Sequence, residues 1–284
     1  MQYYDTVYYI TFGRNYLNKV FIDSRFKTTE SRSDSDFTIE LSDNMELEPN
    51  IGCIVQDITI PHTWYNINQT NNGLYFMMNA NEYIVRLTPR NYDIYELAGA
   101  LEEAMNVATN AVVVDAFTVT ANANAGTLTI GVGGAVYFTI FNDADLSMRV
   151  NGQWFGEFYS PQNPMSINAI LRINGRALEV YNANKFYITG FIDLQPLHSL
   201  YLASNRLSTY SNLGPASQRN ILKKILITTN FGEVNTSTDA WHDDKVNVGG
   251  LSLKLLDFQL RDAYGNVIDL NGAHITFSLL FVRM

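Results

Sequence analysis

Cysteine, charge and long apolar runs are all scarce in this 284-residue chain, and each scarcity excludes a class of protein. The single cysteine, Cys53, excludes an internal disulfide, so the chain need not fold in an oxidising compartment. Because Cys53 lies inside the apolar run Ile51–Ile60, we predict a buried core thiol. Charged residues make up 17% of the chain and hydrophobic residues 46%, which indicates a folded protein and excludes disorder for most of its length.

Segments that direct a chain to membranes or nucleic acids are not evident either. The longest apolar runs, such as Leu279–Val282, are far shorter than the ~18 residues of a membrane-spanning helix, so none is predicted. The first ten residues contain Asp5 and no basic start followed by a long apolar stretch, so no secretory signal is expected. The net charge of -9 repels phosphate backbones and disfavours direct binding of nucleic acid.

Motifs of the common catalytic and cofactor sites are missing. The chain has no Gly-x-x-x-x-Gly-Lys phosphate loop, no His-Glu-x-x-His zinc helix, no cysteine pair and no Gly-x-Ser-x-Gly elbow. The run His242-Asp243-Asp244 could hold a divalent ion, but a solvated acidic loop is the favoured interpretation. We therefore predict no catalytic, metal or cofactor site, and a protein that is not an enzyme.

What the chain does contain is a pattern of short strands. Clusters of Gly, Asn, Asp, Ser and Thr separate runs of β-branched and aromatic residues, which predicts a mainly β protein. The clearest strand is Ala273–Val282, where apolar residues recur at every second position and one face must enter a core. The apolar phase of the preceding strand, Leu251–Arg261, shifts near Leu255-Leu256, and a β-bulge there would explain the shift.

One segment departs from the β pattern. Apolar residues recur at helical spacing from Ile94 to Val107, and Asp93 followed by Glu96 resembles a capping box. With the neighbouring strands this helix forms a small α+β unit, which is most simply an insertion between strands of a larger sheet domain. We place the inserted unit at residues 81–159.

The placement of charge predicts two distinct surfaces. Residues 37–60 contain five acids and no base, whereas residues 199–230 contain four bases and no acid. These are either two solvated surfaces or complementary faces of neighbouring copies, as a head-to-tail ring requires. The candidate interface residues are Glu40, Asp43, Glu46, Glu48, Arg206, Arg219, Lys223 and Lys224.

The N-terminal residues form an aromatic arm that is neutral overall. A nucleic-acid-binding arm should be basic, but the first 36 residues carry five bases and five acids. We predict that the arm docks on another subunit or a neighbouring protein, because aromatic side chains dominate such contacts. Its rings are Tyr3, Tyr4, Tyr8, Tyr9, Phe12 and Tyr16.

Several phrases, taken in order, resemble one known family. They are Ile22–Thr28 with Ser35–Phe37, Ile60–Ile67 with Asn71–Phe76, Lys223–Ile225 leading to Asn230–Glu233, Leu256–Phe258, Asp262–Asn266 and Gly272–Ile275. In this order and spacing the chain resembles the penton (minor capsid) proteins of virophages, Polinton-like viruses and related double-stranded DNA viruses. The resemblance is weakest from about Tyr83 to Leu178, and its specificity comes from the order of the phrases.

The resemblance implies an antiparallel jelly-roll sandwich and a structural role. Proteins of this family form homopentamers at the fivefold vertices of an icosahedral capsid and contact a double-jelly-roll major capsid protein. The implied location is therefore the virion. Applied to this chain, the domains are an N-terminal arm with the first strand at residues 1–36, a jelly roll at 37–80 and 160–284, and the insertion 81–159 as an upper, outward-facing domain. An insertion of this kind can also carry a site for a host receptor.

A second interpretation belongs to a different class. A jelly roll can also be a carbohydrate- or receptor-binding protein, such as a fibre head or a lectin. Aromatic residues near Pro161 could stack on sugars, although an aromatic cluster in the core or at a domain joint is the favoured interpretation. These residues are Trp154, Phe155, Phe158 and Tyr159.

Overall fold

A computed structural model provides the fold and describes residues 19–110, 112–147, 153–154, 157–158, 166–173, 179–208, 212–238 and 245–284. The strands are β1 (Lys19–Asp23), β2 (Asp36–Glu46), β3 (Ile51–Pro61), β4 (Gly73–Met78), β5 (Asn81–Arg86), β6 (Phe117–Asn122), β7 (Thr127–Val132), β8 (Tyr137–Ile140), β9 (Gln153–Trp154), β10 (Glu157–Phe158), β11 (Tyr181–Asn182), β12 (Tyr187–Ile188), β13 (Ser199–Ala203), β14 (Ile221–Leu226), β15 (Val234–Ser237), β16 (Val246–Asn247), β17 (Ser252–Arg261) and β18 (Thr276–Arg283). The helices are α1 (Ile94–Thr109), α2 (Asp143–Ser147) and α3 (Asn168–Leu171), and one 3₁₀ turn (Ser24–Phe26) follows β1.

The chain divides into two compact units. One contains the residues up to Trp64 together with Leu197–Met284, and the other is the insertion Tyr65–Pro196. The observed insertion extends beyond the expected limits of 81–159 at both ends. It begins earlier because β4 hydrogen-bonds to both β5 and β8, and it ends later because β11 and β12 pair with β8 and β7.

The first unit is a jelly roll. Its two antiparallel sheets have the strand orders β1-β18-β3-β15 and β14-β13-β17-β2, and the short β16 also pairs with β3. Counted within this unit and without β16, the sheets read first-eighth-third-sixth and fifth-fourth-seventh-second. Consecutive strands alternate between the two sheets except for the fourth and fifth, β13 and β14, which pair in one sheet. This order is that of the two interlocked Greek keys of a jelly roll. The predicted fold class, a mainly β jelly-roll sandwich with an inserted α+β unit, is confirmed.

The jelly-roll core follows the period-two pattern of its strands. In β18, Phe277, Leu279 and Phe281 are buried, as the alternation predicts. In β17 the buried positions change from odd to even after Leu253, and the register with β2 shifts between Leu253 and Leu255. The predicted β-bulge is therefore present, and it keeps apolar side chains directed inward on both sides of the irregularity.

Cys53 is buried in the same core and carries a free thiol. Burial raises the pKa of this thiol to about 12, because the thiolate would lose its hydration. The prediction of a core thiol is confirmed.

The inserted unit has a separate apolar core with α1 packed along it. Asp93 accepts hydrogen bonds from the backbone of Tyr95 and Glu96, and the Glu96 carboxylate accepts one from the Asp93 N–H, which completes the predicted capping box. A second side chain fixes the helix to the sheet, since Glu102 accepts a hydrogen bond of 2.7 Å from the Val119 N–H. The helix extends two residues beyond the predicted end at Val107.

Candidate assembly surfaces

The predicted acidic residues lie together on one edge of the jelly roll. β2 is an edge strand of the sheet β14-β13-β17-β2, and it carries Glu40, Asp43 and Glu46. Glu48 lies in the turn that follows. All four side chains are exposed, and we call them the acidic edge.

The acidic edge has partners within its own chain, namely two exposed ion pairs and a hydrogen bond of 2.5 Å that the Ser252 hydroxyl donates to Glu46. Glu40 lies 3.5 Å from the Lys254 ammonium, and Glu48 lies 3.4 Å from the Arg283 guanidinium. Lys254 also donates hydrogen bonds of 2.6 and 2.9 Å to two β2 carbonyls in the bulge. An exposed ion pair contributes about 0–1 kcal/mol to the free energy of unfolding. The Glu40 and Glu48 carboxylates can therefore leave these partners for a neighbouring copy at little cost in stability.

Three of the four predicted bases lie at the opposite edge of the same sheet. Lys224 is on the edge strand β14, Arg219 precedes this strand, and Arg206 lies in the loop after β13. All three are exposed, and among the residues that the structure describes none of them forms an ion pair with an acid. We call them the basic edge. Three strand spacings of roughly 4.8 Å place the two edge strands about 14 Å apart.

The fourth base, Lys223, does not belong to this surface. Its side chain is buried, and its ammonium donates a hydrogen bond of 3.1 Å to the Val55 carbonyl on the opposite sheet. Val55 lies at a register shift between β3 and β18. Lys223 therefore stabilises the fold of the subunit itself, and a charge reversal there would report on folding rather than on assembly.

Exposed apolar side chains accompany the basic edge. Leu226 ends β14 with 60% of its surface exposed, and Val234 begins β15 with 54% exposed. The two strands are tied together by Asn235, whose amide donates to the Leu226 carbonyl and accepts from the Thr228 N–H. Exposed apolar residues next to charged ones are the composition of a contact surface with a polar rim.

A buried histidine, His62, connects two distant segments of the chain near this region. The ring of His62 stacks on Trp64 with a centroid distance of 4.1 Å, and its Nδ1 lies 2.8 Å from the Thr229 carbonyl oxygen. Burial lowers the pKa of His62, although the hydrogen bond to Thr229 and the negative charge of Glu233 oppose this shift. The sequence alone does not indicate this role of His62, because the role depends on a contact between residues 167 positions apart.

We expect His62 to make the jelly roll less stable in mild acid. Its folded-state pKa lies below the ordinary value of 6.5, so below that pH the unfolded chain binds more protons than the folded one. The contribution of His62 is complete above pH 6.5 and is lost as the pH falls towards its folded-state pKa. Urea unfolding at several pH values should show this loss in the wild type and in a His274→Gln control. A His62→Gln variant with the same pH dependence as the wild type would contradict the assignment.

Several predicted features lie outside the described residues. They are the side chains of the aromatic arm (Tyr3, Tyr4, Tyr8, Tyr9, Phe12 and Tyr16), the run His242-Asp243-Asp244, and the side chains of Trp154, Phe155, Phe158 and Tyr159. Within the described part of the chain, no three His, Cys, Asp or Glu side chains form a group that could hold a metal ion. No described helix is long and apolar enough to cross a membrane.

This chain is similar to known proteins in its fold but not in its sequence. Neither a protein-family model nor a curated protein matches the chain. The fold is similar to a selenomethionine-labelled mavirus penton protein, at 12% identity and a TM-score of 0.48 over 94% of this chain and 99% of that one. It is also similar to a chain of the Sputnik virophage structure determined by cryo-electron microscopy, at 13% identity and a TM-score of 0.43 over 94% of this chain and 98% of that one.

Proposed function

We propose that this chain is a structural capsid protein that assembles through contacts between copies of itself. The observation that carries the proposal is the position of opposite charges at opposite edges of one jelly-roll sheet. The resemblance of the ordered sequence phrases to those of penton proteins supports the same role independently of that geometry. Its activity is binding, and burial of surface between copies drives the assembly.

The two edges suit a closed ring of identical subunits. A contact between the acidic edge of one copy and the basic edge of the next uses two different surfaces, so it leaves one of each free for further copies. If the rotation per subunit closes, the result is a ring, and the sequence resemblance favours five subunits at a capsid vertex. Complementary charge sets the orientation of the subunits more than the strength of the contact.

The further partners follow from the same proposal. We propose that the outer surface of the ring contacts a larger double-jelly-roll major capsid protein, and that the inserted unit faces outward, where a host receptor would bind. Weak rings gain stability by mass action from the lattice around them, so the isolated protein is expected to assemble only at high concentration or with the major capsid protein.

Particles purified from the native source test the capsid role directly. Electron microscopy with antibody labelling should detect this chain at the fivefold corners, and the mass of the purified protein should correspond to a pentamer when its major capsid partner is present. Particles that lack the chain at their corners would refute the proposal.

Reversing charge on the basic edge should weaken the ring. A Lys224→Glu/Arg219→Glu variant is expected to raise the dissociation constant about tenfold or more, because each reversed base then faces carboxylates of the neighbouring copy. Sedimentation velocity over a range of protein concentrations measures this change. High salt should weaken the wild-type ring in the same direction by screening the charges.

A compensating variant shows whether the two edges contact each other. Adding Glu40→Lys and Asp43→Lys to the basic-edge variant should restore most of the affinity, whereas Glu103→Lys on the exposed face of α1 should leave the wild-type ring unchanged. An unaltered dissociation constant in the Lys224→Glu/Arg219→Glu variant would show that these edges are not the contact.

A further inference from the structure

An apolar groove begins at β1 and is also lined by residues of β18 and β3. Phe21 on β1 and Phe26 in the 3₁₀ turn are each 77% exposed, more than any other large hydrophobic side chain that the structure describes. They flank a groove of about 410 Å³ that also includes Ile39 of β2 and Asp57 of β3. β1 is an edge strand, and among the described residues no other strand pairs with its outer side.

This groove is unfavourable to leave open in water. Phenylalanine has no polar group to hydrate, and burying one such ring shifts an equilibrium towards the buried state roughly ten- to a hundredfold. Lys19 covers part of one ring, because its ammonium lies 4.8 Å from the Phe21 centroid and 3.6 Å from the Asp57 carboxylate. The rest of both rings remains exposed beside the edge of β1 with which no described strand pairs, and such an edge is where an added strand binds.

The chain itself supplies a segment of matching composition at this point. Residues 1–18 directly precede Lys19, the first residue of β1, so they are joined to the strand that lines the groove. They contain six aromatic residues and only two charged ones, Asp5 and Arg14. Gly13 and Asn15 are residues that favour a turn, and a turn there would direct the preceding residues back along β1.

Covalent attachment favours the groove of the same chain over that of another copy. β1 has five residues and is roughly 17 Å long, whereas 18 residues can span up to roughly 60 Å. A segment so close to its site has an effective concentration in the millimolar range, which exceeds that of a second copy at ordinary protein concentrations. The sequence by itself predicted another subunit or a neighbouring protein as the partner, but the groove lies beside the origin of the arm.

We propose that residues 1–18 dock on the Phe21–Phe26 groove of their own chain, adding a strand to the free edge of β1 and placing aromatic rings against both phenylalanines. This inference does not depend on the capsid role, because it concerns a single subunit. It gives the groove an occupant and gives the aromatic arm a binding site.

Amide hydrogen exchange of the full-length protein tests the docking. In the wild type, the amides of residues 3–12 should exchange at least about tenfold more slowly than in an unstructured peptide of the same sequence, as expected for burial of a single ring. A Phe21→Ser/Phe26→Ser variant should lose that protection. Both side chains lie outside the core, so the amides of β3 and β18 in this variant should stay as protected as in the wild type. Tyr264→Ser is the control at another exposed aromatic residue, and all its amides, including those of residues 3–12, should exchange as in the wild type.

Protein concentration separates the same chain from a second copy. Protection of residues 3–12 that is unchanged over a hundredfold range of protein concentration supports docking within one chain. Protection that rises with concentration would assign the arm to a neighbouring copy and overturn the proposal. Exchange of residues 3–12 at the rate of the free peptide in the wild type, or unaltered protection in the Phe21→Ser/Phe26→Ser variant, would also overturn it.

Discussion

Replacing Phe258 by alanine is expected to lower the free energy of unfolding of the jelly roll by about 3–5 kcal/mol. Phe258 is fully buried on β17, and its ring centroid lies 4.9 Å from that of Phe277 and 5.6 Å from that of Phe37. These three rings come from β17, β18 and β2, so they join both sheets of the sandwich. Removing the central ring loses its burial and leaves a cavity that the surrounding strands cannot close.

Equilibrium urea unfolding followed by tryptophan fluorescence measures this loss, because Trp64 is buried in the same unit. Tyr264→Ala is the matched control, since this aromatic side chain is 72% exposed and its loss should change stability by less than about 0.5 kcal/mol. A Phe258→Ala variant as stable as the control would mean that the three rings do not form the centre of the core.

Reversing the charge of Lys223 should destabilise the subunit by about 3–5 kcal/mol, which is the usual effect of leaving a buried charge without a partner. The Lys223 side chain is buried, and its ammonium donates to the Val55 carbonyl. A glutamate at this position would replace a donor with an acceptor, so two oxygen groups would then face each other away from water. Urea unfolding of Lys223→Glu gives the magnitude.

The adjacent lysine provides the control. Lys224→Glu lies on the exposed side of the same strand and should change the free energy of unfolding by less than about 0.5 kcal/mol. The two reversals therefore separate folding from assembly: the first should lower stability in the isolated subunit, and the second should act only where copies meet. Equal destabilisation by both variants would contradict the inward position of Lys223.

The division of roles between Lys223 and Lys224 shows where sequence patterns reach their limit. Alternation along a strand requires that two adjacent lysines point in opposite directions, but it does not say which one points inward. That choice depends on the pairing of β13 with β14, whose register shifts between Leu202 and Ala203. The shift depends on hydrogen bonds to another strand, and no local pattern contains it.

The sequence predicts which residues form the acidic edge and most of the basic edge, but it does not predict where these edges lie in the fold. The acidic and basic runs are evident in the sequence, yet their positions at the two edges of one sheet follow from the Greek-key order of strands. The limits of the insertion depend in the same way on the pairing of β4 with β8, which joins residues about sixty positions apart. The groove beside Phe21 was not predicted, because an exposed aromatic residue on an edge strand has the same sequence pattern as a buried one.

The sequence by itself determined the features that depend on near neighbours. The capping box at Asp93 and Glu96, the buried face of β18 and the bulge in β17 each follow from spacing within one segment, where helix or strand geometry fixes the direction of every side chain. The tertiary structure alone decided which segments pair, which lysine is buried and which edges remain free. Those outcomes depend on contacts between residues far apart in the chain. Many alternative strand pairings would bury a similar apolar surface, and only in the complete sandwich do all the contacts support one another.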